Sequence, residues 1–221
     1  MLIGFSGSSG AGKTTLANRV AEALRSQGYD VAVVKEVVRD VFRKDWQHKC
    51  GSLDEIRESG DAVKFQAQVL VAQVRAELEA ERNHSVVITD RTIYDNLLYT
   101  VLWHNKDFVG LGKYAKSFND ISKFHKYNVI LLCEPLRHVD VSDDFRTKDD
   151  IESREAQFEL LKSFIPEEIP RYVIHSYCLG DKEWEIETRV QRCLGILRMV
   201  MDNVGCRTHN ICDKRKLWET R

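Results

Sequence analysis

Eight consecutive residues, Gly7-Ser8-Ser9-Gly10-Ala11-Gly12-Lys13-Thr14, satisfy the spacing G-x-x-x-x-G-K-[ST] in full. Glycines and small residues let a backbone curl round a phosphate so that several N–H groups point inward. A helix starting at that point adds the positive end of its dipole. A lysine there brings a charge to the β- and γ-phosphates. A threonine hydroxyl can hold Mg²⁺, a cation that keeps its waters and takes few protein ligands. Residues Gly7 to Thr15 are therefore the expected phosphate site, with ATP and Mg²⁺ as its cofactors. The competing explanation, a chance Gly/Ser turn, fits poorly between an apolar run and an amphipathic one.

Further along, Val86-Val87-Ile88-Thr89-Asp90-Arg91 places an acid and a base at the end of an apolar run. Asp90 is positioned to reach the metal directly or through water, and a strand-end turn residue is the less favoured alternative. A motor-type ATPase would carry a water-activating glutamate next. Arginine stands there instead, and a guanidinium clamps phosphate oxygens without acting as a base. The pair favours transfer to an acceptor over hydrolysis. Glu36 ends another short run, opposite the γ-phosphate in this topology, where its carboxylate could take a proton from an attacking hydroxyl. Arg39 lies one helical turn on and could bind the acceptor or simply pair with Glu36. Asp143, Asp144, Arg146 and Lys148 sit in a polar stretch, where a closing lid could deliver Arg146 to the transferred group; a solvated charged loop is the alternative. No guanine-reading N-K-x-D follows a strand, since Asn105-Lys106-Asp107 has the wrong spacing.

These residues need a scaffold that alternates. Leu2 to Ser6, Val31 to Val34, Val86 to Thr89, Val129 to Leu132 and Tyr172 to His175 have the apolar, β-branched character of buried strands. Helical spacing occupies 13–27, 93–103, 113–125, 151–164 and 182–201. Residues 36–50 begin as a helix and turn to loop, and 52–82 is one long helix or two joined near Gly60. Segment 134–150 has the composition of a mobile loop, and Gly205 to Arg221 carries no pattern. Strands alternating with helices imply a parallel sheet covered on both faces.

The bulk composition narrows the function. The chain has 221 residues, 43% hydrophobic and 30% charged, with a formal net charge of -1. A dedicated duplex-DNA binder would be more basic. A mixed aromatic and basic stretch, Phe42-Arg43-Lys44-Asp45-Trp46-Gln47-His48-Lys49, nevertheless keeps nucleic acid as a possible but not favoured partner; a half-buried Trp46 is the plainer explanation. No apolar run would span a bilayer, and Met1 to Phe5 has the character of a strand rather than a signal peptide, so the expectation is a cytoplasmic chain with reduced thiols. Cys206, His209 and Cys212 lie close together, but no fourth zinc ligand accompanies them. Ser176 to Asp181 is an adenine-side candidate by position alone, and nothing sets an oligomeric state.

On the phosphate loop, Glu36-x-x-Arg39, Phe65-Gln66, Asp90-Arg91-x-x-x-Asp95-x-x-x-Tyr99, and Asp144-x-Arg146 before Arg154, the chain resembles P-loop kinases of the ribosylnicotinamide-kinase type, a family also labelled AAA-like. The likeness covers most of residues 2–165, with Phe145 where that family usually has glycine. It implies an α/β P-loop three-layer sandwich with a five-stranded parallel sheet in the order 2-3-1-4-5 and a helical lid at about 134–154, within a kinase domain of residues 1–205 and a tail at 206–221. It further implies an ATP-dependent kinase acting on a hydroxyl of a nucleoside-like small molecule. Glu36 or Asp90 would handle the acceptor hydroxyl or the metal. Arg91 and Arg146 would touch phosphates, and Gln66, Asp95 and Tyr99 would line the acceptor pocket. Tyr99 could instead be an ordinary core aromatic. Related kinases act on deoxynucleosides, on nucleoside monophosphates and, in viruses, on nucleic acids.

Overall fold

Five short apolar runs form the strands β1 (Leu2–Ser6), β2 (Val31–Val34), β3 (Val86–Asp90), β4 (Val129–Cys133) and β5 (Arg171–Ile174). All pairings are parallel and the order is β2-β3-β1-β4-β5, as the sequence implied. The three central strands are buried along their whole length, which is why they carry no polar alternation. The computed structural model describes residues 1–136, 151–177 and 182–203.

One face of the sheet is covered by α1 (Lys13–Ser26) and α8 (Lys182–Asn203). Leu16, Val20 and Leu24 of α1 meet Val190, Leu194 and Leu197 of α8 in that layer's core. The other face carries α4 (Ala62–Asn83), α5 (Ile93–Trp103), α6 (Phe108–Phe124) and α7 (Ile151–Phe164), packed through residues such as Leu70, Leu98, Phe118 and Leu161. Two short helices, α2 (Val38–Val41) and α3 (Leu53–Glu58), stand apart from the sheet. They close a satellite core of Val41, Phe42, Trp46, Ile56, Phe65 and Val69 against α4.

Most element boundaries fall within two residues of the sequence expectation. The break near Gly60 is real: α3 ends at Glu58 and α4 begins at Ala62. Residues 36–50 depart from it, because α2 continues directly into a π-helical turn, Phe42–Trp46, rather than into loop. That wider turn sends both Phe42 and Trp46 into the satellite core, where each is 2% exposed. Helix α6 starts five residues before the expected Lys113, because the Asp107 side chain accepts a hydrogen bond from Gly110 N and caps it. No helix among the described residues is long and apolar enough to cross a membrane.

Candidate active site

The phosphate loop joins β1 to α1 at the carboxyl edge of the sheet, the edge where parallel α/β sheets bind ligands. Two glycines make the loop possible. A Cβ at Gly7 would sit 2.4 Å from the Cys133 carbonyl oxygen, so only glycine lets the chain leave β1 beside β4. Gly12 takes φ 75° immediately before the helix, a left-handed backbone that side chains resist. Ser8 Oγ is buried in the loop with no partner. Lys13 Nζ donates to the carbonyls of Gly7 and Ser8, both at 2.8 Å. Burial, and the nearby Arg91 charge, pull the Lys13 pKa below its ordinary value, against an opposing pull from Asp95, Tyr99 and Asp90. The loop thus holds its own cation in the place where an anion would sit. Thr14 and Thr15 open the first turn of α1 and are solvent-exposed.

The tip of β3 faces this loop. The Thr14 hydroxyl donates to Asp90 Oδ2 at 2.5 Å. The residues expected to share a metal are therefore in direct contact, and a hydroxyl beside a carboxylate is an oxygen donor set suited to a hard divalent cation. Arg91 follows with φ 92°, an uncommon backbone for a residue with a side chain. Its Nε donates to Glu36 Oε1 at 2.6 Å, and its guanidinium lies over the Tyr99 ring, 5.1 Å from the centroid. Nη1 is buried with no hydrogen-bond partner. Burial acts to lower the guanidinium pKa, but Glu36, Tyr99 and Asp95 outweigh it and hold the group well above its ordinary value. Glu36 also faces Arg39, whose Nε is 3.6 Å from Oε2. The two arginines bracket one carboxylate.

Glu36, Gln66, Arg91 and Tyr99 line one pocket, which encloses about 790 Å³ of space including its solvent-open mouth. Its walls also include Ser9 of the phosphate loop, Leu53 and Arg57 of α3, Asn96 and Trp103 of α5, and apolar Val37, Val38 and Val69. Tyr99 and Trp103 pack with ring centroids 4.7 Å apart, and Arg57 lies over the far ring at 5.3 Å. Gln66 is almost completely buried. Asn96 Nδ2 donates to the Gln66 carbonyl at 3.1 Å, which fixes the Asn96 amide orientation, and to Gln66 Oε1 at 2.6 Å. Tyr114 OH donates to Asn96 Oδ1 at 2.5 Å, consistent with that orientation. Gln66 Nε2 is then left as a donor without a partner.

A buried polar network underlies the strand tip. Glu77 of α4, fully buried, meets His125 Nε2 and accepts from Tyr127 OH at 3.1 Å and from Gln73 Nε2 at 2.5 Å. Burial, with Glu77 adding to it, raises the Tyr127 hydroxyl pKa well above normal. Gln73 Nε2 also reaches Thr89 Oγ1 at 2.6 Å and the Arg91 carbonyl at 3.3 Å. Tyr127 OH accepts from Ile93 N at 3.0 Å. The network therefore grips the 89–93 turn on both sides of Arg91, which explains how the left-handed residue is held.

Asp95, expected on the pocket wall beside Arg91 and Tyr99, is placed elsewhere. Thr92 is the N-cap of α5 and Asp95 its third residue, joined as a capping box, so Arg91 precedes the helix and the four-residue periodicity does not reach it. The Asp95 carboxylate is fully buried and accepts from Ser6 Oγ (2.6 Å), Gly7 N (3.1 Å), and Thr92 N and Oγ1 (both 2.8 Å). It ties the phosphate loop to α5. Trp46 is likewise no stacking surface: it is 2% exposed and donates to Gln68 Oε1, which removes the aromatic half of the nucleic-acid argument.

Trp103, Arg57, Asn96 and Gln73 escaped the sequence reading. Trp103 carried a signal, since it stands four residues after Tyr99 on one helix; Arg57 and Gln73 reach the site only through the packing of α3 and α4. Buried Arg189 of α8 was missed as well: its Nη2 reaches the carbonyls of Glu134 (3.4 Å) and Ile174 (3.5 Å) behind the phosphate loop. On the presumed adenine side, Glu134 and Glu185 hold the backbone of Ser176 and Tyr177. Arg146, with Asp144, Phe145 and most of the expected lid, residues 178–181, and Cys206, His209 and Cys212 lie outside the described residues. Among the described residues, no group of three or more His, Cys, Asp or Glu could hold a metal.

A family model described as an AAA domain matches residues 2–177. No curated protein matches the chain significantly. Among solved structures, a deoxyadenosine kinase from M. mycoides with products dCMP and a flexible dCDP bound is similar at 19% identity and TM-score 0.62, covering 90% of this chain and 100% of that one. A NadR protein in complex with NR is 19% identical with TM-score 0.68, covering 96% of this chain and 53% of that one. A thymidylate kinase from Ehrlichia chaffeensis is 20% identical with TM-score 0.52, covering 89% of this chain and 98% of that one.

Proposed function

The chain belongs to the AAA-domain family matched over residues 2–177, and from that premise we propose that it is a kinase transferring the γ-phosphoryl group of Mg·ATP to a hydroxyl of a nucleoside-like small molecule. The observation that carries the reading is the shared wall of the two half-sites. Arg91 projects from the strand tip beside the phosphate loop and at the same time lines the neighbouring pocket, where it holds Glu36 at 2.6 Å. An acid placed between phosphate and pocket suits a hydroxyl acceptor. An acceptor that already bears an ionised phosphate needs no such base and would be repelled by it.

In this reading the amides of residues 8–14 and the Lys13 ammonium bind the triphosphate, Lys13 exchanging its bonds to Gly7 and Ser8 for phosphate oxygens. Thr14 and Asp90 would hold the metal, which would offset phosphate charge when bound. The acceptor oxygen forms a bond to the γ-phosphorus while the bond from that phosphorus to the β–γ bridging oxygen breaks, and ADP leaves. Glu36 takes the hydroxyl proton, and Arg91 stabilises charge on the transferred group. Arg39 positions Glu36. Gln66 and Tyr99 line the acceptor side, and Asp95 holds the loop rather than the acceptor. Arg146, on a lid at about 134–154, adds a further charge within a domain of residues 1–205.

The test is a screen with γ-labelled ATP and Mg²⁺ against nucleosides, nucleoside monophosphates and oligonucleotides, using the purified full chain. Labelled nucleoside product is the expected result. Label on monophosphates or oligonucleotides alone would replace the acceptor assignment, and label on no acceptor, with ATP merely hydrolysed, would remove the kinase reading.

A further inference from the structure

We propose that the acceptor pocket selects a neutral heterocyclic base and discriminates against a permanently cationic ring. This rests on the kinase reading and concerns the charge of the acceptor's base, which that reading leaves open.

The argument starts from the aromatic pair. A cationic heterocycle such as a pyridinium is drawn into a pocket by a bare electron-rich ring face or by a carboxylate with no cation of its own. Here each ring already carries a guanidinium on one face. Tyr99 carries the Arg91 guanidinium at 5.1 Å and Trp103 carries that of Arg57 at 5.3 Å, and the two rings pack against each other between them. The order Arg91, Tyr99, Trp103, Arg57 puts a positive group at each end of the aromatic surface.

The carboxylates do not reverse this. Glu36 and Asp54 are the two acids among the described residues lining the pocket, matched in number by Arg57 and Arg91. Glu36 is engaged twice, by Arg91 at 2.6 Å and by Arg39 at 3.6 Å. Asp54 is half-buried on the first turn of α3, three residues before Arg57 on the same helix. The remaining wall is largely apolar, through Val37, Val38, Leu53 and Val69. A fixed positive charge entering this space leaves water and approaches the two guanidiniums that lie over the aromatic pair. A neutral base loses nothing comparable, and both aromatic rings and guanidinium planes stack on it. The unpartnered Gln66 Nε2 suits a carbonyl on the ring edge. Uncharged pyrimidines and pyridinium carboxamides both carry one, so this donor fixes orientation and the arginines decide charge.

Ribosylnicotinamide and its 1,4-dihydro form make the matched test, since they share ring atoms, carboxamide and ribose and differ by one hydride, hence by one charge. With the full chain and Mg·ATP, kcat/KM for the dihydro form is expected to exceed that for the pyridinium form by at least ~10-fold, the ratio that about 1.4 kcal/mol produces. Arg57→Gln is expected to narrow the gap at least ~3-fold by raising the relative value for the cation, because one of two nearby like charges is gone; circular dichroism and an unchanged KM for ATP check that the variant is folded. Equal rates, or preference for the pyridinium, would overturn the proposal. If neither riboside is phosphorylated, calorimetric binding to the wild-type chain gives the same ratio, and binding of neither also overturns it. Failure of the kinase reading looks different: no acceptor of any class takes label.

Discussion

The phosphate loop and the acceptor pocket meet at Ser9, yet they are built from different materials. The loop is main chain: eight consecutive residues whose amides and one lysine would, on the proposed reading, hold the phosphates, with glycines where a Cβ would clash or the backbone is left-handed. The pocket is side chain, drawn from the end of β2, from α3, α4 and α5 and from the tip of β3, stretches spread between Glu36 and Trp103. Backbone recognition can be specified locally and serves any triphosphate. Side-chain recognition needs the whole fold to converge and is where one member of a fold differs from another. Substitutions in the loop should therefore weaken reaction with every acceptor alike, and substitutions in the pocket should weaken it acceptor by acceptor.

The largest test of that division is Lys13→Ala, expected to lower kcat at least ~10³-fold with any acceptor by removing transition-state charge stabilisation. Near-normal transfer by the purified variant would defeat the assignment. Next is Glu36→Gln, at the boundary: loss of a positioned general base should cost ~10²-fold in kcat while the KM for ATP changes little. A monophosphate acceptor that escaped this loss would show that the acid serves hydroxyls only. Smaller is Trp103→Leu, expected to raise the acceptor KM ~5–10-fold, through lost stacking area, with the KM for ATP unchanged; an equal rise in both would erase the division. Glu77→Gln should cost ~1–3 kcal/mol in denaturant midpoint analysis, because a buried network loses a partner. It should also lower kcat more than either KM if Arg91 is what the network holds. The smallest effect is on pH. The Lys13 ammonium has a lowered pKa, so it is protonated and able to bind phosphate below that value and loses its charge at a lower pH than an ordinary lysine. The KM for ATP should begin to rise on the alkaline side before a free lysine would titrate, and a flat profile up to the ordinary lysine range would contradict it.

Much of the fold was legible because its signals are local. β-branched runs, a phosphate-loop spacing and helical periodicity each occupy a few neighbouring residues and imply a parallel sheet, while the order β2-β3-β1-β4-β5 came from the family resemblance. The loop, the Thr14–Asp90 contact and the pairing of Glu36 with Arg39 were legible for the same reason: each lies at a strand end, where a parallel sheet gathers its ligands, whereas the Glu36–Arg91 pair was not read from the sequence. Asp95 shows where this stops. The resemblance put Asp95 on the acceptor wall with Tyr99, whereas Thr92 begins the helix, and a T-x-x-D capping box was present in the sequence to say so. Trp46, expected to be half-buried with base stacking as the lesser alternative, is turned fully inward by the π-helical turn. Arg57, Gln73 and Arg189 had no local signal, because their roles depend on which helix packs beside which.

The Asp95 carboxylate bonds Ser6 and Gly7 on one side and Thr92 on the other. The helix bearing Tyr99 and Trp103 is thereby fastened to the start of the nucleotide cradle, so disturbance at either end is transmitted to the other. Thermodynamic reciprocity then requires that whatever factor bound nucleotide applies to acceptor affinity, bound acceptor applies to nucleotide affinity. On the proposed reading, any coupling between the two substrates is expected to run through this carboxylate, and Asp95→Asn is expected to reduce the change in acceptor affinity that bound nucleotide causes.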